Sequence, residues 1–175
     1  KKVAAIGSPR ASIEANYLLR ELVGAKNFAA GFSDQEDDLM GSIANILQAT
    51  KAINPSVKQI ESADAVLILG EDVTNTAPRV ALALRQSVRN KAFELAEQMG
   101  LPSWQDAAVR NLAQDQRSPM TIVSAIDTRL DDVASNCISL APDDIAAFGY
   151  AVAAALAGES TDNAQADATA LMLKA

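Results

Sequence analysis

Apolar and polar residues follow two different periods along the chain. Short runs of β-branched and aromatic residues predict five β-strands, at residues 3–6, 28–32, 65–69, 121–126 and 137–140. Between these runs, apolar residues recur every three or four positions, which is typical of amphipathic helices. In the first such segment, Ile13, Tyr17, Leu18 and Leu22 fall on one helical face. The pattern therefore predicts a regular alternation of strands and helices.

The run at residues 65–69 is apolar throughout, and this property predicts the layers of the fold. A strand without polar alternation needs cover on both faces, as in parallel sheets. Strands that alternate with helices form such sheets, with right-handed crossovers. We therefore expect an α/β fold: three α/β/α layers around a mainly parallel, doubly wound sheet of about five strands.

Residues 91–119 contain helical periodicity but no strand, which predicts a helical insertion between the third and fourth strands. If the insertion supplies an interface, Trp104 is its best anchor, since Trp is enriched at binding hot spots. The alternative is that Trp104 packs on the domain's own surface. We expect one domain over residues 1–158, with residues 159–175 as the truncated start of a further segment.

Charge and composition exclude several classes of function. The net charge is −7 and the pI about 4.5, which argues against nucleic acid and anionic membrane surfaces as partners. The longest apolar run, residues 145–157, is shorter than the roughly 20 residues of a membrane span and predicts a buried helix opened by Pro142.

The chain has one Cys and no His, so it cannot form an internal disulfide or a Ser-His-Asp triad. An iron–sulfur cluster normally takes four thiolates, and a zinc site would need carboxylates almost alone. We expect Cys137 to be a small buried residue of the last strand.

Candidate binding residues follow three of the predicted strands. Gly70, Glu71 and Asp72 form a turn between strand and helix, where α/β proteins bind phosphates on backbone N–H groups. Because two acids oppose an anionic ligand, they could instead cap the following helix or bind Mg²⁺.

Ser8 and Arg10 follow the first strand, and Asp127 and Arg129 follow the fourth. Ser8 and Arg10 could contact a phosphate or pterin, or belong to a turn that Gly7 and Pro9 form. Asp127 could accept hydrogen bonds from a ribose hydroxyl, or cap a short helix and pair with Arg129. We favour the cap.

Residues 70–78, Gly-Glu-Asp-Val-Thr-Asn-Thr-Ala-Pro, resemble the Gly-x-Asn-Pro-x-x-x-His-Pro motif of the molybdopterin oxidoreductase family. Gly70 and Pro78 match, whereas Asp72, Val73 and Ala77 stand where the family has Asn, Pro and His.

Two further segments resemble the same family in the right chain order. Residues 8–17, Ser-Pro-Arg-Ala-Ser-Ile-Glu-Ala-Asn-Tyr, are similar to Ser-x-Arg-x-Thr-Asn-Glu-Glu-x-Tyr. Residues 126–129, Ile-Asp-Thr-Arg, resemble Val-Asp-Pro-Arg. The family's later Pro-Gly-Thr-Asp motif corresponds to Pro142-Asp143-Asp144 in this chain, which is one residue shorter and lacks the Gly. The resemblance covers residues 3 to about 158.

Positions that would approach a pterin nucleotide differ from the family, whereas the scaffold positions match. This pattern resembles one branch of the family, found in the peripheral arm of bacterial NADH:quinone oxidoreductases (respiratory complex I). That branch carries the domain without the molybdenum cofactor. The resemblance implies a structural segment with no catalytic residue, no cofactor and no metal. Iron–sulfur clusters would lie elsewhere in the parent subunit. Its partners would be other peripheral-arm subunits at the cytoplasmic face of the bacterial inner membrane, without direct membrane insertion or nucleic acid.

The same resemblance implies that the candidate loop residues line a vestigial pocket. Its members would be Ser8, Arg10, Gly70, Glu71, Asp72, Asp127 and Arg129. The alternative is a residual nucleotide- or pterin-binding domain, in which arginines such as Arg10, Arg79 or Arg129 offset the acids.

Overall fold

Strands and helices alternate along the computed structural model, which describes residues 3–50, 53–159 and 161–174. The strands are β1 (Ala5–Ile6), β2 (Phe28–Ala29), β3 (Val66–Leu69), β4 (Met120–Ser124) and β5 (Asn136–Ser139). The helices are α1 (Ile13–Val23), α2 (Asp34–Ala49), α3 (Val57–Glu61), α4 (Val73–Thr76), α5 (Pro78–Ser87), α6 (Asn90–Gln98), α7 (Asp106–Ala113), α8 (Pro142–Ala157) and α9 (Ala164–Lys174).

All strand pairs among the described residues are parallel, which confirms the predicted α/β class. The strands form two sheets, β1–β2 and β3–β4–β5, instead of one sheet of five. The chain divides correspondingly into two units, Lys1–Asn54 and Pro55–Ala175.

The first unit holds β1, α1, β2 and α2, and each helix begins at a serine cap. Ser12 accepts a hydrogen bond from the Ala15 N–H, and Ser33 forms a reciprocal capping box with Glu36. None of the described residues of this unit is buried. The apolar faces of both helices are exposed: Ile13, Tyr17, Leu18, Leu22, Leu39, Met40, Ile43, Ile46 and Leu47. The predicted amphipathic faces thus form without being covered inside the unit.

The second unit has a three-layer core around the central strand β4, which is buried along its length. Alternate residues of a strand face opposite sides of the sheet. Met120 and Ile122 accordingly join a cluster with Ala81 and Leu84 of α5. Val123 joins a second cluster on the other face, whose buried members are Ile145, Phe148, Val152, Ala166 and Ala170.

β3 and β5 are the outer strands of this sheet. Both faces of β3 are covered, because Ile68 packs in the α5 cluster and Leu67 in the α8 cluster. The expectation that Cys137 is buried is wrong: it is exposed. β5 is an outer strand in which only Ile138 packs against the core, so its remaining side chains lie near solvent.

α8 begins at Pro142, as predicted, and ends before Gly158, whose φ of +88° closes the helix. It is amphipathic instead of wholly buried, since Phe148 is 2% exposed and Tyr150 80%. α9 packs against α8 and contributes Ala166 and Ala170 to the same core.

The insertion consists of α6 and α7, which pack on each other. Ala96 of α6 and Val109 of α7 are buried. Arg89 and Asp106 add an ion pair of 2.6 Å across the hairpin. Trp104 lies in the turn before α7, whose first residue is Asp106. Among the described residues, every helix falls short of the length and apolar character that a membrane crossing requires.

Candidate functional site

The loop after β1 is organised by Asn16. Its side-chain oxygen accepts a hydrogen bond from the Ser8 N–H at 3.0 Å, and its amide donates to the Ser8 carbonyl at 2.9 Å. The Ser8 hydroxyl accepts from the Arg10 N–H at 3.2 Å. The polar groups of Ser8 that could contact a ligand therefore shape the loop itself.

Gly7 is required in this loop by close packing. A Cβ at Gly7 would lie 2.5 Å from Asn16 Oδ1 and 2.8 Å from Phe28 Cζ. The Gly7 N–H also donates to the Ala29 carbonyl at 2.7 Å, which joins the loop to β2. The Arg10 side chain, by contrast, is exposed and has no hydrogen bond or ion pair to any described residue.

The loop after β3 begins with Gly70, whose φ of +72° favours glycine. The Gly70 N–H donates to the Val123 carbonyl at 2.7 Å, so this amide is occupied. Because β3 and β4 are parallel neighbours, the loop lies at the same edge of the sheet as the loop that follows β4. This is the edge at which open α/β sheets bind ligands.

Asp72 caps α4, which is one of the alternatives that the sequence left open for this turn. Its carboxylate accepts hydrogen bonds from the Thr74 N–H at 3.2 Å, the Thr74 hydroxyl and the Asn75 side-chain amide. The Thr74 hydroxyl is the chief cause of a lowered pKa for Asp72, so the carboxylate stays ionised. Glu71 accepts from the Thr76 hydroxyl at 2.9 Å. Both acids are engaged within their own turn.

The predicted Asp127 cap is wrong, because residues 129–133 form turns instead of a short helix, and Thr128 and Asp131 hold the first turn. The Asp131 carboxylate accepts from the Thr128 N–H at 3.1 Å and from its hydroxyl at 2.6 Å. The Thr128 hydroxyl in turn accepts from the Leu130 N–H at 3.3 Å. The segment is a series of turns, and Asp127 and Arg129 form no ion pair with each other.

An ion pair between distant residues holds this loop, and no sequence motif indicated it. The Arg85 guanidinium contacts both carboxylate oxygens of Asp132, at 2.8 and 2.7 Å. It also donates to the Arg129 carbonyl at 2.7 Å, and Arg117 donates to the Asp132 carbonyl at 3.0 Å. Hydrogen bonding to Arg85 is the main cause that lowers the pKa of Asp132. The loop is thereby fixed to α5.

A small cleft lies beside β4 and β5, with a volume of about 140 Å³. Asp127, Asp131 and Cys137 line it together with Ser124 and Ser139. Sites for drug-sized ligands enclose about 300–1,000 Å³, so a dinucleotide exceeds this space. Partial burial, followed by the charges of Asp131 and Asp127, raises the pKa of the Cys137 thiol. The thiolate is therefore disfavoured, which opposes a nucleophilic role.

The described residues contain no cluster of three His, Cys, Asp or Glu side chains with the geometry of a metal site. Glu71 and Asp72, which were considered for Mg²⁺, accept hydrogen bonds from Thr76, Thr74 and Asn75 instead. Ser8, Glu71 and Asp72 thus use their polar atoms within their own turns. The side chains of Asp127 and Arg129 form no hydrogen bond or ion pair among the described residues. The side chains of Arg10, Arg79 and Arg129 belong to exposed residues.

No family model matches the chain. Individual curated proteins do match it closely. It is 46% identical over 98% of its length to the G subunit of NADH-quinone oxidoreductase from Pseudomonas fluorescens, and 49% identical over 87% of its length to that from Shewanella oneidensis. The protein of the same name from Escherichia coli K12 is 46% identical over 89% of the chain.

The aligned segments are only 17–19% of these relatives, so the chain spans about a fifth of their length. Identity at this level along nearly the whole chain confirms the resemblance to the bacterial NADH:quinone oxidoreductases. The chain is homologous to one segment of the G subunits of NADH-quinone oxidoreductases.

Proposed function

We propose that the chain is a non-catalytic structural segment of the large peripheral-arm subunit of a bacterial NADH-quinone oxidoreductase. One observation carries this proposal: in each loop that would hold a cofactor, a polar group is hydrogen-bonded to its own loop or to the helix that follows. Ser8 is paired with Asn16, Asp72 with Thr74, and Thr128 with Asp131. Such bonds stabilise helix starts and turns, and a ligand would have to break them.

In this proposal the parent enzyme passes electrons from NADH toward quinone through iron–sulfur clusters outside the chain. The chain contributes packing surface to the peripheral arm, at the cytoplasmic face of the inner membrane. Its partners are other subunits of that arm. The homology to the G subunits, the single Cys and the lack of His support the assignment of electron transfer to segments outside the chain.

Variants in the assembled enzyme separate a structural role from a catalytic one. Asp127→Asn and Arg129→Ala alter side chains that form no hydrogen bond or ion pair among the described residues. We expect NADH–quinone electron transfer per assembled enzyme to be unchanged. Gly7→Ala should lower the amount of assembled enzyme and leave its turnover intact, because it disturbs the loop packing. A loss of turnover in Asp127→Asn or Arg129→Ala would contradict the proposal.

A residual nucleotide- or pterin-binding domain is the second candidate. The observation in its favour comes from the second unit, where Arg129 follows β4 and Arg79 lies in the first turn of α5. Both carry a guanidinium without an ion pair among the described residues. Arg is a preferred phosphate ligand. Calorimetry with anionic nucleotides distinguishes this candidate from the structural one, because only a retained site produces saturable heat.

A further inference from the structure

We draw no further inference here: the strongest candidate, the exposed apolar faces of α1 and α2 in the first unit, is an unpartnered surface, and nothing in the structure shows what covers it.

Discussion

Asp72 accepts hydrogen bonds from both the backbone N–H and the hydroxyl of Thr74, so the carboxylate at the ligand edge of the sheet is engaged at the start of α4. In a phosphate-binding α/β protein, the corresponding loop presents free backbone N–H groups. In this chain the Asp72 carboxylate accepts a hydrogen bond from one such group, the Thr74 N–H, and adds negative charge. The loop has the strand–turn–helix order that nucleotide loops share, and its acid serves as a helix cap.

Removal of this cap should destabilise the chain. Asp72→Ala is expected to lower the thermal midpoint by about 2–4 °C, the usual effect of losing an N-cap in a chain of this size. Asp72→Asn should stay close to the wild type, because Asn caps as well as Asp. Thermal unfolding followed by circular dichroism gives both values. Equal midpoints for Asp72→Ala and wild type would show that the cap contributes nothing.

Substitution of Gly7 tests the packing of the loop after β1, and Gly41 in α2 provides a matched control. Gly7→Ala should destabilise the chain by about 1–3 kcal/mol, the typical cost of overpacking, because its Cβ meets Asn16 and Phe28. Gly41 lies inside α2, and a Cβ there meets no described atom within 4 Å. Gly41→Ala should therefore stabilise by about 0.5–1 kcal/mol through helix propensity. Urea unfolding measures both, and effects of equal sign would contradict the packing argument.

The Arg85–Asp132 pair predicts a specific acid sensitivity. Since the folded-state pKa of Asp132 is lowered from 3.8, its contribution is fully present above the unfolded-state value and is lost as the pH falls through the folded value. The thermal midpoint of Asp132→Asn should consequently fall less between pH 5 and pH 3 than that of the wild type. Arg85→Gln should reduce the slope in the same way, and the double variant should add nothing further. An unchanged slope in both single variants would refute the pairing.

Cys137 should react slowly with alkylating reagents although it is exposed. The residue is exposed overall, but partial burial of its thiol and then the charges of Asp131 and Asp127 raise the pKa, so the thiolate fraction at pH 8 is low. Asp127→Asn removes one of these charges without breaking a hydrogen bond and should speed iodoacetamide alkylation by about twofold. Asp143→Asn, in the first turn of α8, is the control and should leave the rate unchanged. Faster alkylation of the wild type than of Asp127→Asn would contradict the expected effect of the Asp127 charge.

Local patterns in the sequence predict much of the fold. The strand positions, the start of α8 at Pro142 and the helical insertion follow from residues that are neighbours in the chain. The capping role of Asp72 is also local, because its partners lie within three residues.

Three features of the structure could not be predicted from local sequence patterns. Cys137 is exposed because β5 is an outer strand, and strand order is a property of the whole sheet. Asp127 caps no helix, because residues 129–133 form turns and Thr128 and Asp131 hold the first of them. Arg85 and Asp132 are 47 residues apart, so only the folded chain brings them together.

The central claim is that the chain keeps the scaffold of a cofactor-binding fold without its site. Isothermal titration calorimetry of the purified chain with NADH, GTP and a pterin nucleotide tests it most directly. Each unpaired like-charge contact at about 4 Å costs on the order of 1 kcal/mol in water and about 4 at an effective dielectric of about 20, so Glu71 and Asp72 disfavour a pyrophosphate. We predict no saturable heat with any of the three. Micromolar binding that weakens in Gly70→Ala or Asp127→Asn would contradict the claim and favour a retained nucleotide or pterin site.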